Sequence, residues 1–163
     1  MIIEIMSRSS AKRFSYKKHD EKIAVISIVD MGNRRCYLMN NHPHSGIISQ
    51  CDLMFDDVEE GELFVITNKD AEKIVEYVNM NISADRLIVH CEAGISRSSG
   101  TAAAIMKATK GDDWCIWKNK QYSPNLTCYK KIMTAFGIEI NKEEFAEKIA
   151  ISKSTKNGDI KTT

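Results

Sequence analysis

A cysteine and an arginine stand close together in the segment HCEAGISRS, which spans residues 90–98. Five residues separate Cys91 from Arg97. An ionised cysteine is a strong nucleophile, and an arginine carries a planar, permanent charge that can bind two oxygens of a phosphate group. Together these side chains predict covalent chemistry on a phosphate, in which Cys91 attacks phosphorus and Arg97 holds the phosphate oxygens.

The elements around this segment would place it at the edge of a sheet. An apolar strand is predicted at Leu87–Val89 and an alanine-rich helix at Ser99–Thr109, so the segment links a strand to a helix. A linker this short must curl, and Gly94 supplies the backbone freedom that the curl needs. Main-chain N–H groups that point into such a curl suit an oxyanion and stabilise a thiolate. We therefore expect an amide cradle beside a solvent-accessible Cys91 sulfur.

The same residues resemble a known signature. HCEAGISRS is similar to the HCxxGxxR motif, followed by Ser or Thr, of the protein tyrosine phosphatase superfamily, and its AGxSRS form resembles the dual-specificity branch. The similarity is specific over residues 87–101 and plausible in layout from about 50 to 136. It implies Cys91 as nucleophile, Arg97 as phosphate clamp, Ser98 as a hydroxyl that helps the thiolate leave, and His90 as a donor that orders the loop. It also implies that the phosphate is bound by the backbone of Glu92, Ala93, Gly94, Ile95 and Ser96.

A cysteinyl-phosphate mechanism also needs an acid that protonates the leaving oxygen and then acts as a base toward water. Asp56 and Asp57 lie in the segment MFDDVEEGE, directly after a predicted strand at Cys51–Phe55. The Phe-x-Asp pattern of similar bacterial sequences favours Asp57, and Asp56 stays as the rival. The alternative is that both carboxylates belong to a solvated acidic turn.

The segment Ser-Pro-Asn before a later helix has two interpretations. Pro124-Asn125 resembles the dual-specificity pattern in which a Pro-Asn pair opens the helix that supports the active loop. The alternative is an ordinary helix start, with Ser123 as N-cap and Pro124 as the first helical residue. Both interpretations can hold together.

The remaining patterns predict an α/β fold with a small, mostly parallel central sheet of about four or five strands, flanked by helices. The resemblance implies that this fold is phosphotyrosine protein phosphatase-like. A capping box is predicted at Thr67 and Asp70, ahead of a helix that buries a face including Ile82. We expect one domain over residues 1–153 and a disordered tail at 154–163. Further strands are predicted at Ile23–Val29, Ile2–Met6 and Cys36–Met39, and further helices at Asp112–Lys120, Pro124–Phe136 and Lys142–Ser152.

Composition limits the classes of partner and the cellular setting that can be expected. The 23 Lys and Arg residues balance 22 Asp and Glu residues, so neither nucleic acid nor an anionic membrane is expected as a partner. The odd number of cysteines, five, without a CxxC pair favours a reducing, cytoplasmic setting, free thiols and no metal or cofactor. We expect the four cysteines other than Cys91 to be buried, and one that lies near Cys91 could form a disulfide with it on oxidation. They are Cys36, Cys51, Cys115 and Cys128.

The loop also limits the substrate. It contains the acidic Glu92 and no lysine, which disfavours a polyphosphorylated lipid. By resemblance, the expected substrate is a phosphorylated protein or peptide that carries phosphotyrosine, with phosphoserine and phosphothreonine as further candidates. Three alternatives stay open: an RNA 5′-triphosphatase, a noncatalytic phosphate-binding module and a rhodanese-like sulfurtransferase.

Overall fold

A four-stranded sheet forms the centre of the protein in a computed structural model that describes residues 1–39 and 41–157. Its strands are β1 (Ile2–Ser7), β2 (Ile23–Val29), β3 (Ile47–Met54) and β4 (Arg86–Cys91). The order across the sheet is β1-β4-β2-β3, and every neighbouring pair is parallel. The predicted α/β fold with a small parallel sheet is confirmed.

The two central strands explain why the sheet is buried on both faces. Every residue of β2 is buried, as is every residue of β4 after Arg86. Parallel strands covered by helices on both faces carry continuous apolar runs of this kind. The edge strands β1 and β3 are more polar and only partly buried, because each has a neighbour on one side.

Within the described residues there are six helices. Their bounds are α1 (Arg8–Ser15), α2 (Asn68–Met80), α3 (Arg97–Lys110), α4 (Trp114–Trp117), α5 (Leu126–Ala135) and α6 (Lys142–Asn157). Of these, α1, α2, α3 and α5 pack against the sheet. Helices α2, α3 and α5 bury their apolar faces in the larger core, on one face of the sheet. Helix α1 and the segment at Cys36 and Leu38 cover the smaller core on the other face. The predicted capping box at Thr67 and Asp70 is present.

One predicted strand is wrong. Residues 36–39 form no strand, and the Gln50 side chain of β3 occupies the main-chain groups that a sheet ladder would use. Its Nε2 donates to the Cys36 carbonyl at 2.8 Å and its Oε1 accepts from the Leu38 N–H at 2.9 Å.

Other predicted boundaries also needed correction. The helix predicted over residues 112–120 is confined to α4, and Ile82, predicted on the buried face of α2, is 59% exposed because α2 ends before it. Cys115 is exposed rather than buried. Helix α6 continues to Asn157, four residues into the predicted tail, and residues 158–163 of that tail lie outside the described residues.

The length and the apolar character of a helix decide whether it could span a membrane. None of those within residues 1–39 and 41–157 is long and apolar enough to cross a bilayer.

Candidate active site

Three adjacent strands end at the same edge of the sheet and bring the candidate residues together. Strand β4 ends at Cys91, β2 is followed by Asp30, and β3 is followed by Phe55, Asp56 and Asp57. Arg97 begins α3, on the far side of the short connection from β4. The carboxyl edge of an open parallel sheet is the usual place for a ligand.

The Cys91–Arg97 loop curls as its glycine predicts. Gly94 has a φ of +74°, and a Cβ added there would lie 2.6 Å from the backbone nitrogen of Ser7, so a larger residue would collide with the end of β1. The Gly94 N–H donates to the Cys91 Sγ at 3.3 Å, so at least this amide points inward. The buried Ser98 hydroxyl also lies 3.1 Å from that sulfur.

The depth of the sulfur differs from the expectation. Cys91 is only 2% exposed, because it ends a central strand and its side chain joins the larger core. The loop around it is more open: Glu92, Ala93 and Ile95 are exposed, and Ser96 is partly buried. The thiol therefore lies at the floor of the loop and not at an open surface.

The start of α3 is left without a side-chain cap. Ser96 is the N-cap residue, yet its hydroxyl makes no capping bond and donates instead to the Asp57 Oδ1 at 2.7 Å. The first amides of a helix have no partner within the helix, and they attract anions when no side chain caps them. This helix end is thus suited to receive an oxyanion.

The Arg97 guanidinium is buried and only partly partnered. Its side chain is 5% exposed, and its Nη1 donates to the Phe55 carbonyl at 2.8 Å and pairs with the Asp30 Oδ1 at 2.6 Å. The buried Nε has no hydrogen-bond partner within the part of the chain that the structure describes. An arginine in this position keeps a donor for a group from outside the chain.

The two neighbouring aspartates have different surroundings. Asp57 reaches the Cys91–Arg97 loop through Ser96, whereas the Asp56 carboxylate accepts from the Met31 N–H at 2.8 Å. The Asp56 N–H in turn donates to the Phe64 carbonyl at 2.8 Å. Asp56 therefore links the turn after β2 to the segment after β3, and Asp57 is the carboxylate that contacts the loop.

Asn125 combines the two interpretations of the Ser-Pro-Asn segment. Its Oδ1 accepts from the Cys128 N–H at 2.8 Å, so Asn125 is the N-cap of α5, and the prediction of Ser123 as the cap is wrong. Its Nδ2 donates to the Asp57 Oδ1 at 3.0 Å. The N–H groups of Ser123 and Asn125 donate to the carbonyls of Ile95 and Ser96. The chain entering α5 thus supports both the loop and Asp57.

His90 does not make the predicted contact with the loop. Residues in a strand alternate between faces, so His90 lies on the α1 side of the sheet while Cys91 faces the larger core. Burial lowers the pKa of His90 to about 4, and the nearby Cys91 backbone opposes that shift. Neither ring nitrogen reaches hydrogen-bonding geometry with any group among the described residues.

Two residues that contact the loop, Asp30 and Arg8, are not predicted from the sequence. Asp30 pairs with Arg97, and Arg8 pairs with Glu92, with 3.2 Å between Nη1 and Oε2. The Asp30 position was accessible from sequence, because it directly follows a strongly predicted strand, as Asp57 closely follows another. Arg8 had no such signal, since its contact depends on how α1 packs beside β4.

All five cysteines, Cys91 among them, are free thiols. Cys128 in α5 is the one whose electrostatic surroundings include Cys91, along with Asp57 and Arg97. Burial raises the pKa of the Cys128 thiol, which keeps it protonated and slow in disulfide exchange. Burial also raises the pKa of Cys36, which lies near Arg8.

Comparison with known proteins adds information about the fold. No family model matches the sequence, and no curated protein matches it significantly. The structure of PTPMT1 in complex with PI(5)P aligns with a TM-score of 0.54 and 17% identity, covering 90% of this chain and 94% of that one. A second PTPMT1 structure gives 0.51 and 16%, covering 91% and 94%. Human DUSP28 gives 0.48 and 11%, covering 95% and 94%. The two PTPMT1 alignments show that the chain has a phosphotyrosine protein phosphatase-like α/β fold.

Proposed function

We propose that the chain is a cysteine-dependent phosphatase that hydrolyses phosphomonoesters through a cysteinyl-phosphate at Cys91. One observation carries the proposal: the same short curled loop begins at a thiol on its floor and ends at a buried arginine whose Nε has no partner in the described chain. A buried cation without full compensation costs free energy, so its presence needs an explanation. A phosphate bound beside Cys91 supplies the missing acceptor.

The first chemical step forms the S–P bond and breaks the P–O bond of the substrate. The Cys91 thiolate attacks phosphorus, while Arg97 and the inward amides stabilise the phosphoryl oxygens. Asp57, held by Ser96 and Asn125, gives a proton to the leaving oxygen. An alcohol or phenol leaves, and the phosphoryl group remains on sulfur.

The second step returns the enzyme to its starting state. The oxygen of a water molecule attacks phosphorus while Asp57 takes a proton from that water, and the S–P bond breaks. The Ser98 hydroxyl, 3.1 Å from the Cys91 sulfur, donates a hydrogen bond to the departing thiolate. Inorganic phosphate is the product, and no cofactor or metal enters either step.

Phosphorylated proteins or peptides are the proposed substrates, with phosphotyrosine first and phosphoserine or phosphothreonine next. The loop has no lysine that could bind further phosphates, and its charged residue Glu92 is exposed. Arg8 offsets part of that negative charge. Because PTPMT1 has been crystallised with PI(5)P, a monophosphorylated inositol lipid is the second substrate to test.

Hydrolysis of para-nitrophenyl phosphate by the wild type, Cys91→Ser and Cys115→Ser tests the reaction. We expect the wild type and Cys115→Ser to release phosphate equally, since the Cys115 thiol is exposed and lies outside the loop, and Cys91→Ser to be inactive. Acid quenching during turnover should trap phosphate on the wild type. Equal hydrolysis by all three proteins would contradict the proposal.

A substrate panel then separates the alternatives. We expect a phosphotyrosyl peptide to react faster than phosphoseryl peptide, PI(5)P vesicles and RNA with a 5′-triphosphate. A preference for the RNA or the lipid would overturn the substrate class and leave the chemistry intact. Cys91-dependent sulfur transfer from thiosulfate without phosphatase activity would favour the sulfurtransferase alternative. Phosphopeptide binding without turnover would favour the noncatalytic binding module.

A further inference from the structure

Asp30 contacts Arg97 at one end of the guanidinium. Both acceptors of the arginine, the Asp30 carboxylate at 2.6 Å and the Phe55 carbonyl at 2.8 Å, bind the same nitrogen, Nη1. The Phe55 carbonyl accepts a hydrogen bond from Nη1 and the Asp30 carboxylate forms an ion pair with it, so both contacts hold the same end of the guanidinium. The donor at Nε then points away from these two anchors.

Free energy also favours a carboxylate at this position. Arg97 is 5% exposed, so its charge has left water and needs a nearby anion. The Asp30 side chain is 36% exposed, and it can therefore stay hydrated on one side while it neutralises the buried cation on the other. This arrangement compensates Arg97 without occupying its Nε.

The turn after β2 holds Asp30 in place. The Asp30 Oδ2 accepts from the Asn33 Nδ2 at 3.1 Å, and the Asp30 carbonyl accepts from the Asn33 N–H at 3.1 Å. The next residue, Met31, is anchored through its N–H to Asp56. The carboxylate thus rests on a turn with two separate attachments.

We propose that Asp30 is a positioning residue for Arg97, which aims the Nε edge of the arginine at an oxyanion over Cys91. This role deepens the proposed function and rests on it for its catalytic consequence. Asp30 itself does not touch the substrate. Asp30 already restricts the rotation of the long Arg97 side chain in the free protein. The entropy cost of ordering this side chain is then not incurred when the oxyanion binds.

Steady-state kinetics with para-nitrophenyl phosphate give the first test. We expect Asp30→Ala to lower kcat/KM by about tenfold or more, an effect in the range of coupling between contacting charged groups. Asp30→Asn keeps an oxygen acceptor for Nη1 and should recover a substantial part of the loss. Unchanged kcat/KM in Asp30→Ala would overturn the positioning role.

Tungstate binding, measured by calorimetry, tests the route through Arg97 without any turnover. We expect Asp30→Ala to weaken binding in the wild-type background and to have no further effect in an Arg97→Ala background. An equal loss in both backgrounds would mean that Asp30 only supports the local fold. Tighter tungstate binding by Asp30→Ala would identify Asp30 as a competitor for Arg97, which also contradicts the proposal.

Asp56→Ala is the matched control, because it releases the same turn at Met31 without removing a contact of Arg97. It should leave tungstate affinity close to that of the wild type, and a loss equal to that of Asp30→Ala would attribute the effect to the turn. The two hypotheses fail separately. If tungstate binding depends on Asp30 only when Arg97 is present, but no phosphate ester is hydrolysed, only the proposed phosphatase activity is refuted. If hydrolysis occurs and is insensitive to Asp30→Ala, only the positioning role is refuted.

Discussion

Two buried cations, Arg97 and Lys148, differ in how completely the protein compensates their charge. Lys148 is 1% exposed, and its ammonium lies 2.6 Å from the Asp113 Oδ1, 2.6 Å from the Glu144 Oε1 and 3.3 Å from the Tyr129 hydroxyl. An ammonium has three hydrogens, and three oxygens surround this one. Among the described residues, Arg97 contacts one carboxylate and one carbonyl, and its Nε has no hydrogen-bond partner.

Aromatic rings complete the surroundings of Lys148. Its ammonium lies 5.2, 6.0 and 5.5 Å from the ring centres of Trp114, Trp117 and Tyr129, within the range of cation–π attraction. These rings belong to α4 and α5, whereas Lys148 belongs to α6. The cluster therefore fastens the last helix to the rest of the fold.

The difference separates a structural charge from one available for binding. Burial costs both cations desolvation free energy, but three oxygens within the protein surround the Lys148 ammonium. Arg97 is held through its Nη1 and retains a donor at Nε, at the end of the loop that begins with Cys91. Incomplete compensation of a buried charge is thus a sign of a site, which supports the proposed role of Arg97.

The largest expected effect is on stability, at Lys148. Lys148→Met leaves the fully buried Asp113 carboxylate without its ammonium partner, and breaking a buried pair in this way costs about 3–5 kcal/mol. Urea unfolding should show this loss, while the folded variant should keep the wild-type KM for para-nitrophenyl phosphate.

A second substitution checks the cause. Lys148→Met combined with Asp113→Asn removes the orphaned charge and keeps an oxygen for the Trp117 Nε1–H, which donates to Asp113 at 2.8 Å. The double variant should regain part of the lost stability. If it is less stable than Lys148→Met alone, the charge pair is not what makes this cluster stabilising.

Arg97 should behave in the opposite way. Arg97→Lys replaces a planar fork by a point charge that cannot contact Asp30, Phe55 and an oxyanion together. We expect kcat/KM for para-nitrophenyl phosphate to fall by about 10²–10³-fold, as when one oxyanion donor is lost, with a much smaller change in unfolding free energy. Near-normal turnover would erase the distinction between the two cations.

His90 shows a third way to bury a basic group, which is to keep it neutral. Its folded pKa of about 4 lies below the ordinary 6.5, so between these pH values the unfolded chain binds a proton that the folded chain does not. The free energy of unfolding therefore falls as pH drops from 6.5 to 4, by about 3 kcal/mol from this group. His90→Gln should remove that part of the pH dependence in urea titrations.

The exposed His44 provides the control for this measurement. The slope of stability against pH in His44→Gln is the reference for removal of a histidine that is not buried. A His90→Gln variant with that same slope would show that His90 is not the buried neutral base inferred from the structure.

Local patterns account for what the sequence predicted well. The apolar runs of β2 and β4, the capping box of α2 and the order of residues 90–98 each depend on neighbours in the chain. The Asp30–Arg97 pair joins residues 67 positions apart, and Gln50 prevents a strand at residues 36–39 through side-chain contacts between distant segments. The depth of Cys91 likewise depends on strand order, which periodicity alone does not specify.

Among Lys148, Arg97, His90 and Asp57, the smallest effect is expected at Asp57, whose neighbour Asp56 is identical in chemistry and differs only in its contacts. Asp57→Asn should lower kcat by about 10²-fold for phenyl phosphate, because its phenol leaves poorly without a proton donor. The loss should shrink for para-nitrophenyl phosphate, whose leaving group needs less assistance, and the basic limb of the pH–rate profile should weaken. Asp56→Asn is the control, since its carboxylate accepts from a backbone N–H instead of the loop. If the leaving-group dependence follows Asp56, the contact of Asp57 with Ser96 is structural, and the loop draws its acid from the other carboxylate.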